Sequence, residues 1–451
     1  MGLDLPLAEA PTRPGLVTVL RAWGRIGCVG FGGPPAHIAL LRALCVDRHR
    51  WLSATEFEDA VAACNLLPGP ASTQLAIYCG FRVRGRAGAI VGGLAFIGPG
   101  LVATLALAAV FLAGSPPRWV RAAGAGAGAA VAAVAVQAGL ALLPASWRRI
   151  RAIGRFGRLR WPVYLVAGMA AAATVGPWVV LVLLACGAVE LATSALRPPA
   201  GSRSAEAVSG SPETAQVTAA AQETRATRSA EPEGDTGPGR RASGRDGGDG
   251  GEGRVRAGAP LPVLAGAVSA VGAGGLLALV WVAFKVGALS YGGGFVIIPL
   301  MQADAVDHYH WMTAGQFLNA VVLGQVTPGP VVHTVAAVGY AAYGVGGGLL
   351  AAAVAFGPSF AFVLAGGGRF DQLRGEPRVR AFLDGAGPAA AGAILGSAVP
   401  LALALGQAWQ YAILAGAAVL LVAARRGVVL TLLAAAAAGV IAVAAGAPLP
   451  T

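Results

Sequence analysis

The chain has 451 residues, 56% hydrophobic and only 12% charged, with a formal net charge of +12. Soluble domains carry about twice that charged fraction, so a soluble enzyme or nucleic-acid-binding domain does not fit. Apolar runs near the roughly 20 residues that cross a bilayer as a helix recur along the chain and indicate an all-α polytopic membrane protein. They are continuous rather than alternating, which argues against a membrane barrel.

About fifteen mixed residues precede the first apolar run, and Arg21 and Arg25 interrupt it, unlike a cleavable signal peptide. Residues 16–45 form the first segment, broken by Gly32-Gly33-Pro34-Pro35. Ser53-Ala54-Thr55-Glu56 reads as a capping box. The helix it opens is interrupted at Pro68-Gly69-Pro70 and resumes to about Phe81. After the basic loop 82–86, apolar spans fall near 88–113, 122–143, 161–175 and 177–195, with six arginines over 148–160. Residues 197–257 carry nine Arg and nine acidic residues, are poor in apolar side chains and read as a disordered cytoplasmic linker. The cysteines (Cys28, Cys45, Cys64, Cys79, Cys186) show no CxxC spacing and read as small apolar membrane residues.

The second half repeats the first. Gly27, Gly32, Gly33, Trp51, Phe57, Pro68, Gly69 and Pro70 meet Gly287, Gly292, Gly293, Trp311, Phe317, Pro328, Gly329 and Pro330 at an offset of 260. One residue is then lost, and Gly80, Gly85, Gly98 and Pro99 meet Gly339, Gly344, Gly357 and Pro358 at 259. The domains expected are a first membrane repeat at 1–196, the linker at 197–257 and a second repeat at 258–451. An extra apolar run at 259–283 opens the second repeat. The loop 82–86 has three Arg and its counterpart 341–346 none, whereas Arg369, Arg374, Arg378 and Arg380 mark a loop whose partner holds Arg118 and Arg121. By the positive-inside rule the halves face opposite ways. About thirteen transmembrane helices follow, with the N-terminus and linker inside and the C-terminus outside.

Inverted repeats with broken helices are a transporter architecture whose substrate sits near the bilayer midplane. A half-helix starting there offers free N–H groups and its positive dipole end to an anion. The substrate-binding candidates are Arg25, Gly32, Gly33, Pro68, Gly69, Pro70, Ser72 and Thr73 in the first half. In the second they are Lys285, Gly292, Gly293, Pro328, Gly329, Pro330, His333 and Thr334. Arg25 can instead snorkel to the interface. Asp47 and Asp307 are candidates for ion coupling, with interfacial anchoring as the alternative. Asn65, Gln325 and Gln74 fit helix packing as well as a site, and the Asp304–His310 cluster fits an interfacial loop better than a metal site. Glu190 receives no role. No catalytic pattern, metal site or cofactor is expected.

The Gly-Phe-Gly-Gly-Pro-Pro stretch, the Pro-Gly-Pro of each half and the later Gly98-Pro99 and Gly357-Pro358 resemble the two-domain chromate ion transporter family. The resemblance spans both halves and leaves out the linker. It implies export of chromate from the bacterial cytoplasm through the inner membrane, conferring chromate resistance, with sulfate as a structural analogue. The long linker and the second motif, Ser290-Tyr291-Gly292-Gly293-Gly294 without Pro-Pro, depart from the pattern. The expected partners are chromate and the lipid bilayer, with no nucleic acid; a homodimer is left open. A sulfate-type oxyanion transporter is the alternative, and a membrane scaffold acting through the linker is the alternative from another class.

Overall fold

A computed structural model describes residues 14–64, 69–112, 116–151, 155–174, 179–195, 272–290, 297–366 and 376–450. Pro68, Asn65, Gly292, Gly293, the linker and most of the apolar run 259–283 lie outside them. Every regular element among the described residues is helical. In the first half these are α1 (Leu16–Val29), α2 (Pro34–Arg42), α3 (Ala54–Cys64), α4 (Ala71–Phe111), α5 (Arg118–Arg151), α6 (Arg155–Thr174) and α7 (Val179–Ala195). In the second they are α8 (Gly272–Leu289), α9 (Ile297–Gln302), α10 (Ala314–Val326), α11 (Thr334–Gly366), α12 (Pro377–Leu403), α13 (Ala408–Ala418) and α14 (Val428–Ala444). Four of these segments are long and apolar enough to cross a membrane, and the chain is a multi-pass membrane protein.

The repeat extends to backbone detail. A π-helical turn extends α2 over Ala43–Arg48 and α9 over Ala303–His308, 260 residues later. Arg50 and His310 then take the left-handed conformation at the same register. Thr313 and Gln316 close a capping box at the start of α10. Ser53 and Glu56 do so at α3, where the Ser53 amide donates to Glu56 Oε2 at 3.0 Å and the Glu56 amide donates to Ser53 Oγ at 3.2 Å.

Both long helices are hairpins. Arg84 (φ −141°) and Gly85 (φ +65°) leave helical space inside α4, as do Tyr343 (φ −145°) and Gly344 (φ +60°) inside α11. Beyond each bend the arms pack backbone to backbone, Gly80 on Gly88 and Gly339 on Gly347, where no Cβ fits.

The Gly/Pro breaks reverse the chain as well, a correction to the interrupted span expected through 55–81. In a straight helix Glu56 and Arg82 would lie about 39 Å apart, yet Arg82 Nη2 donates to Glu56 Oε1 at 2.5 Å. Likewise Lys285 Nζ meets Asp304 Oδ2 at 2.6 Å across the α8–α9 break. The chain thus doubles back between α1 and α2, α3 and α4, α8 and α9, and α10 and α11, in addition to the bends within α4 and α11, with tips at the Gly/Pro breaks.

Behind the hairpins, α5, α6, α12 and α14 pack through small residues. Gly126 of α5 lies on Gly439 of α14, and Gly168 of α6 lies on the Ala389 backbone of α12. Met1–Ser194 and Val271–Thr451 constitute one unit.

Candidate functional site

The tips of the two halves meet. Pro-Gly-Pro ends one helix and, with proline as N-cap, starts the next at Ala71 and at Val331. The turn needs a left-handed residue, supplied by Gly69 (φ +121°) and Gly329 (φ +100°). The Gly69 amide donates to the Ser290 carbonyl at 3.1 Å, and the Gly329 amide donates to the Gly30 carbonyl at 2.9 Å. Ser290 and Gly30 are themselves repeat counterparts, so each half's Pro-Gly-Pro tip is tied to the other half's Gly-rich tip.

Matched glycines pack on helix backbone next to this junction. Gly27 lies against the Phe96 carbonyl, 2.7 Å from where its Cβ would be, and Gly287 packs on the Ala355 carbonyl. These carbonyls come just before Pro99 and Pro358, which sit inside α4 and α11. Gly100 lies against the Pro328 carbonyl, while its counterpart Ser359 places Oγ 3.3 Å from where a Cβ on Gly69 would be. Thr104 and Thr327 are hydrogen-bonded across the halves at 3.0 Å.

Two buried histidines flank the Gly329–Gly30 bond. His37 places Nε2 2.9 Å from the Gly30 carbonyl and Nδ1 3.2 Å from Ser72 Oγ. Its ring stands edge-on to Phe96 at 5.0 Å. His333 stands edge-on to Phe356 at 5.5 Å, with Cε1 2.9 Å from where a Cβ on Gly329 would be. Neither His333 nitrogen makes a well-formed hydrogen bond, the Ile97 backbone being the polar group that acts on the ring. Thr73 Oγ1, Ser290 Oγ and Ser359 Oγ are likewise buried without a partner. Leaving such groups unmade costs about 1–3 kcal/mol each, and four of them lie at this one junction. The amides of Ala71, Ser72, Val331 and Val332 have no acceptor within their own helices.

The junction gathers Gly69, Pro70, Ser72, Thr73, Pro328, Gly329, Pro330 and His333. Thr334 adjoins it, its hydroxyl bonded to the Val331 carbonyl at 2.8 Å. Gly32 (φ +99°) and Gly33 (φ +74°) form the turn at the α1–α2 tip. Arg25 is not at the junction; it is exposed and lines an outer groove with Arg21, Arg48 and His49. Lys285 is engaged by Asp304 and lies 5.7 Å from the Trp281 ring centre. Asp47 and Asp307 are exposed at the ends of the π turns rather than gathered at the junction. Among the described residues no group of three or more His, Cys, Asp or Glu could hold a metal. His37 escaped the sequence reading because its counterpart at 260 is Ile297, so repeat matching passes over it.

Outside the membrane-spanning segments, the Glu56 carboxyl is held below its ordinary range, first by the Ser53 amide and also by Arg82. Cys28 is exposed and Cys45, Cys64, Cys79 and Cys186 are buried, all as free thiols.

No solved structure matches the chain. The chain is 29% identical over 379 residues to the chromate transport protein of Cupriavidus metallidurans, covering 84% of this chain and 80% of that protein. It is 28% identical to the chromate transport protein of Pseudomonas aeruginosa, covering 84% and 79%. Over 83 residues, 18% of the chain, it is 43% identical to the uncharacterized transporter YwrB of Bacillus subtilis, covering 42% of that protein. The family described as chromate transporter matches residues 17–191 and 277–440. On that match, which covers most of the chain and leaves out residues 1–16, 192–276 and 441–451, the chain belongs to the chromate transporter family.

Proposed function

We propose that this protein exports chromate from the cytoplasm, through a site where the hairpin tips of two inverted halves meet. The observation that carries the reading is the reciprocal pair of bonds, Gly69 to Ser290 and Gly329 to Gly30, ringed by unpartnered Thr73, Ser290, Ser359 and His333. The helix starts at Ala71 and Val331 turn their positive ends and free amides toward this junction, and the hydroxyls add donors for a tetrahedral dianion.

The inverted arrangement draws support from two groups of neighbours. A groove of about 600 Å³ brings Pro116, just before α5, and Arg121, in its first turn, beside Thr313, Gln316 and Gly406. The counterparts of these last three in the first half, Ser53, Glu56 and Trp147, lie at the other end of α5 or beside the basic bend at Arg82. In the same way Arg378 and Val379 line a groove with Leu191, near the end of α7, whereas their counterparts open α5. The basic bend 82–86, the described arginines of 148–160 and Arg378 and Arg380 then share one face, the cytoplasmic one. The domains are a first repeat at 1–196, a linker at 197–257 and a second repeat at 258–451. Inversion needs one additional crossing between them, which the apolar run beginning at 259 supplies. The hairpins replace some of the spans in the expected count of thirteen, and the C-terminus lies outside.

Opening to either side separates tips of opposite halves and breaks one of the two cross-half bonds, which makes them the latches of alternating access. Export suits the membrane potential: a dianion leaving a negative-inside cell gains about 4.6 kcal/mol per 100 mV. The test is chromate uptake into everted membrane vesicles, with membrane potential and pH gradient imposed separately. Potential-driven chromate accumulation above that of vesicles lacking the protein supports the reading. Accumulation of sulfate without chromate would replace the substrate, and transport of neither would refute it.

A further inference from the structure

The two halves differ in charge where α1 lies along α2 and α8 along α9. In the second half Lys285 is neutralised by Asp304 and faces Trp281. The first-half counterparts of these three are Arg25, Leu44 and Arg21, so one acid is lost and one cation gained. A groove of about 480 Å³ opens here, with Arg21, Arg25, Arg48 and His49 along it and Ala22, Ile26, Val29 and Leu40 as apolar wall. The three arginines are exposed, and among the described residues no carboxylate pairs with them. Asp47 is exposed beside Arg48 in sequence but does not line the groove. Behind the groove, half-buried Trp51 stacks on His49 at 4.3 Å and on fully buried Trp23 at 6.0 Å.

A basic rim above an apolar wall, open to the membrane at exposed Val29 and Val17, complements one chemistry: a phosphate ester carrying acyl chains. We propose that this groove binds an anionic phospholipid, its phosphate among Arg21, Arg25 and Arg48 and an acyl chain along Ala22, Ile26 and Val29. Arg25 thereby serves the lipid rather than the transported anion, and the second half, with its internal ion pair, holds no equivalent lipid. The inference rests on the membrane reading alone and stands or falls independently of the substrate.

The experiment is native mass spectrometry of the full-length protein purified with phosphatidylglycerol or phosphatidylcholine. The wild type is expected to retain phosphatidylglycerol and shed phosphatidylcholine. Arg25→Gln with Arg48→Gln should weaken retention roughly thirtyfold, since each cation near an anionic headgroup contributes about equally. Arg118→Gln with Arg121→Gln, at the far end of α5, should leave retention unchanged. Arg25→Lys with Arg48→Lys, which keeps both charges, should preserve it and controls for misfolding; Arg21→Gln alone should lower it severalfold. Equal retention of both lipids, undiminished retention in the double Gln variant, or displacement of the lipid by millimolar inorganic phosphate would each overturn the proposal, the last by showing a site for the free anion.

Discussion

The Gly69 amide donates to the Ser290 carbonyl at 3.1 Å, and this bond has a twin 260 residues on, from Gly329 to Gly30 at 2.9 Å. Each bond joins opposite halves, and each starts from a glycine with φ above +90°. A reciprocal exchange of this kind ties the two halves together with one piece of backbone chemistry used twice.

Replacing Gly69 or Gly329 by alanine should therefore disturb both backbone and neighbours. A Cβ on Gly69 would lie 2.5 Å from Gln74 Nε2, and one on Gly329 2.9 Å from His333 Cε1. Each variant is expected to lose about 1–3 kcal/mol of stability and to lower chromate flux on the order of tenfold. Gly98→Ala, in a helix and with nothing within 4 Å, should melt at or above the wild-type temperature and transport normally. Thermal melting and vesicle flux read both effects.

His37 and His333 should separate stability from transport. His37→Phe removes two hydrogen bonds and leaves Ser72 Oγ and part of the Gly30 carbonyl unmet, a loss of about 1–3 kcal/mol. His333→Phe removes nitrogens that have no partner, so stability should hold or rise. Chromate flux should nevertheless fall in both, because His333 faces the junction.

The Lys285–Asp304 pair gives a double-mutant cycle. Lys285→Met alone leaves a buried carboxylate and should cost about 3–5 kcal/mol. Adding Asp304→Leu, the residue type of the first-half counterpart Leu44, should recover most of it. Chemical denaturation in detergent measures the coupling; additive losses would show that the pair is not the reason for Lys285.

Glu56 predicts a pH dependence with a definite sign. Its folded carboxyl titrates below the ordinary value of 4.5, because the Ser53 amide and Arg82 favour the carboxylate. The stability it lends is complete above that ordinary value and is lost as pH falls through the lowered one. Glu56→Gln should flatten the acid limb of a melting-temperature profile taken from pH 6 downward and be less stable than wild type near neutrality.

Much of this arrangement was legible in the residues. The offset of 260 and then 259 marks the repeat, the Ser53/Glu56 box forms as its spacing implies, and the basic loop at 82–86 coincides with the bend at Arg84–Gly85. What stayed hidden is tertiary. Pro-Gly-Pro announces that a helix stops, but whether the chain runs on or doubles back is decided by contacts such as Arg82 with Glu56, 26 residues away. The acceptors for Gly69 and Gly329 lie in the other half, so no local pattern points to them. His37 and Asp304 face Ile297 and Leu44 in the repeat register, and a reading built on matched positions discards such residues. Arg25 and Lys285 match in sequence yet differ in surroundings, since only one has an acid opposite.

Side-specific thiol labelling tests the opposed halves most directly. Arg86 and Val345 are exposed counterparts just after the two bends, 259 residues apart. With exposed Cys28 replaced by serine, Arg86→Cys and Val345→Cys should react with a membrane-impermeant maleimide from opposite sides, the first only in everted vesicles and the second only in intact cells. Labelling of both from one side would contradict the inverted arrangement and, with it, the meeting of opposed hairpin tips on which the transport site depends.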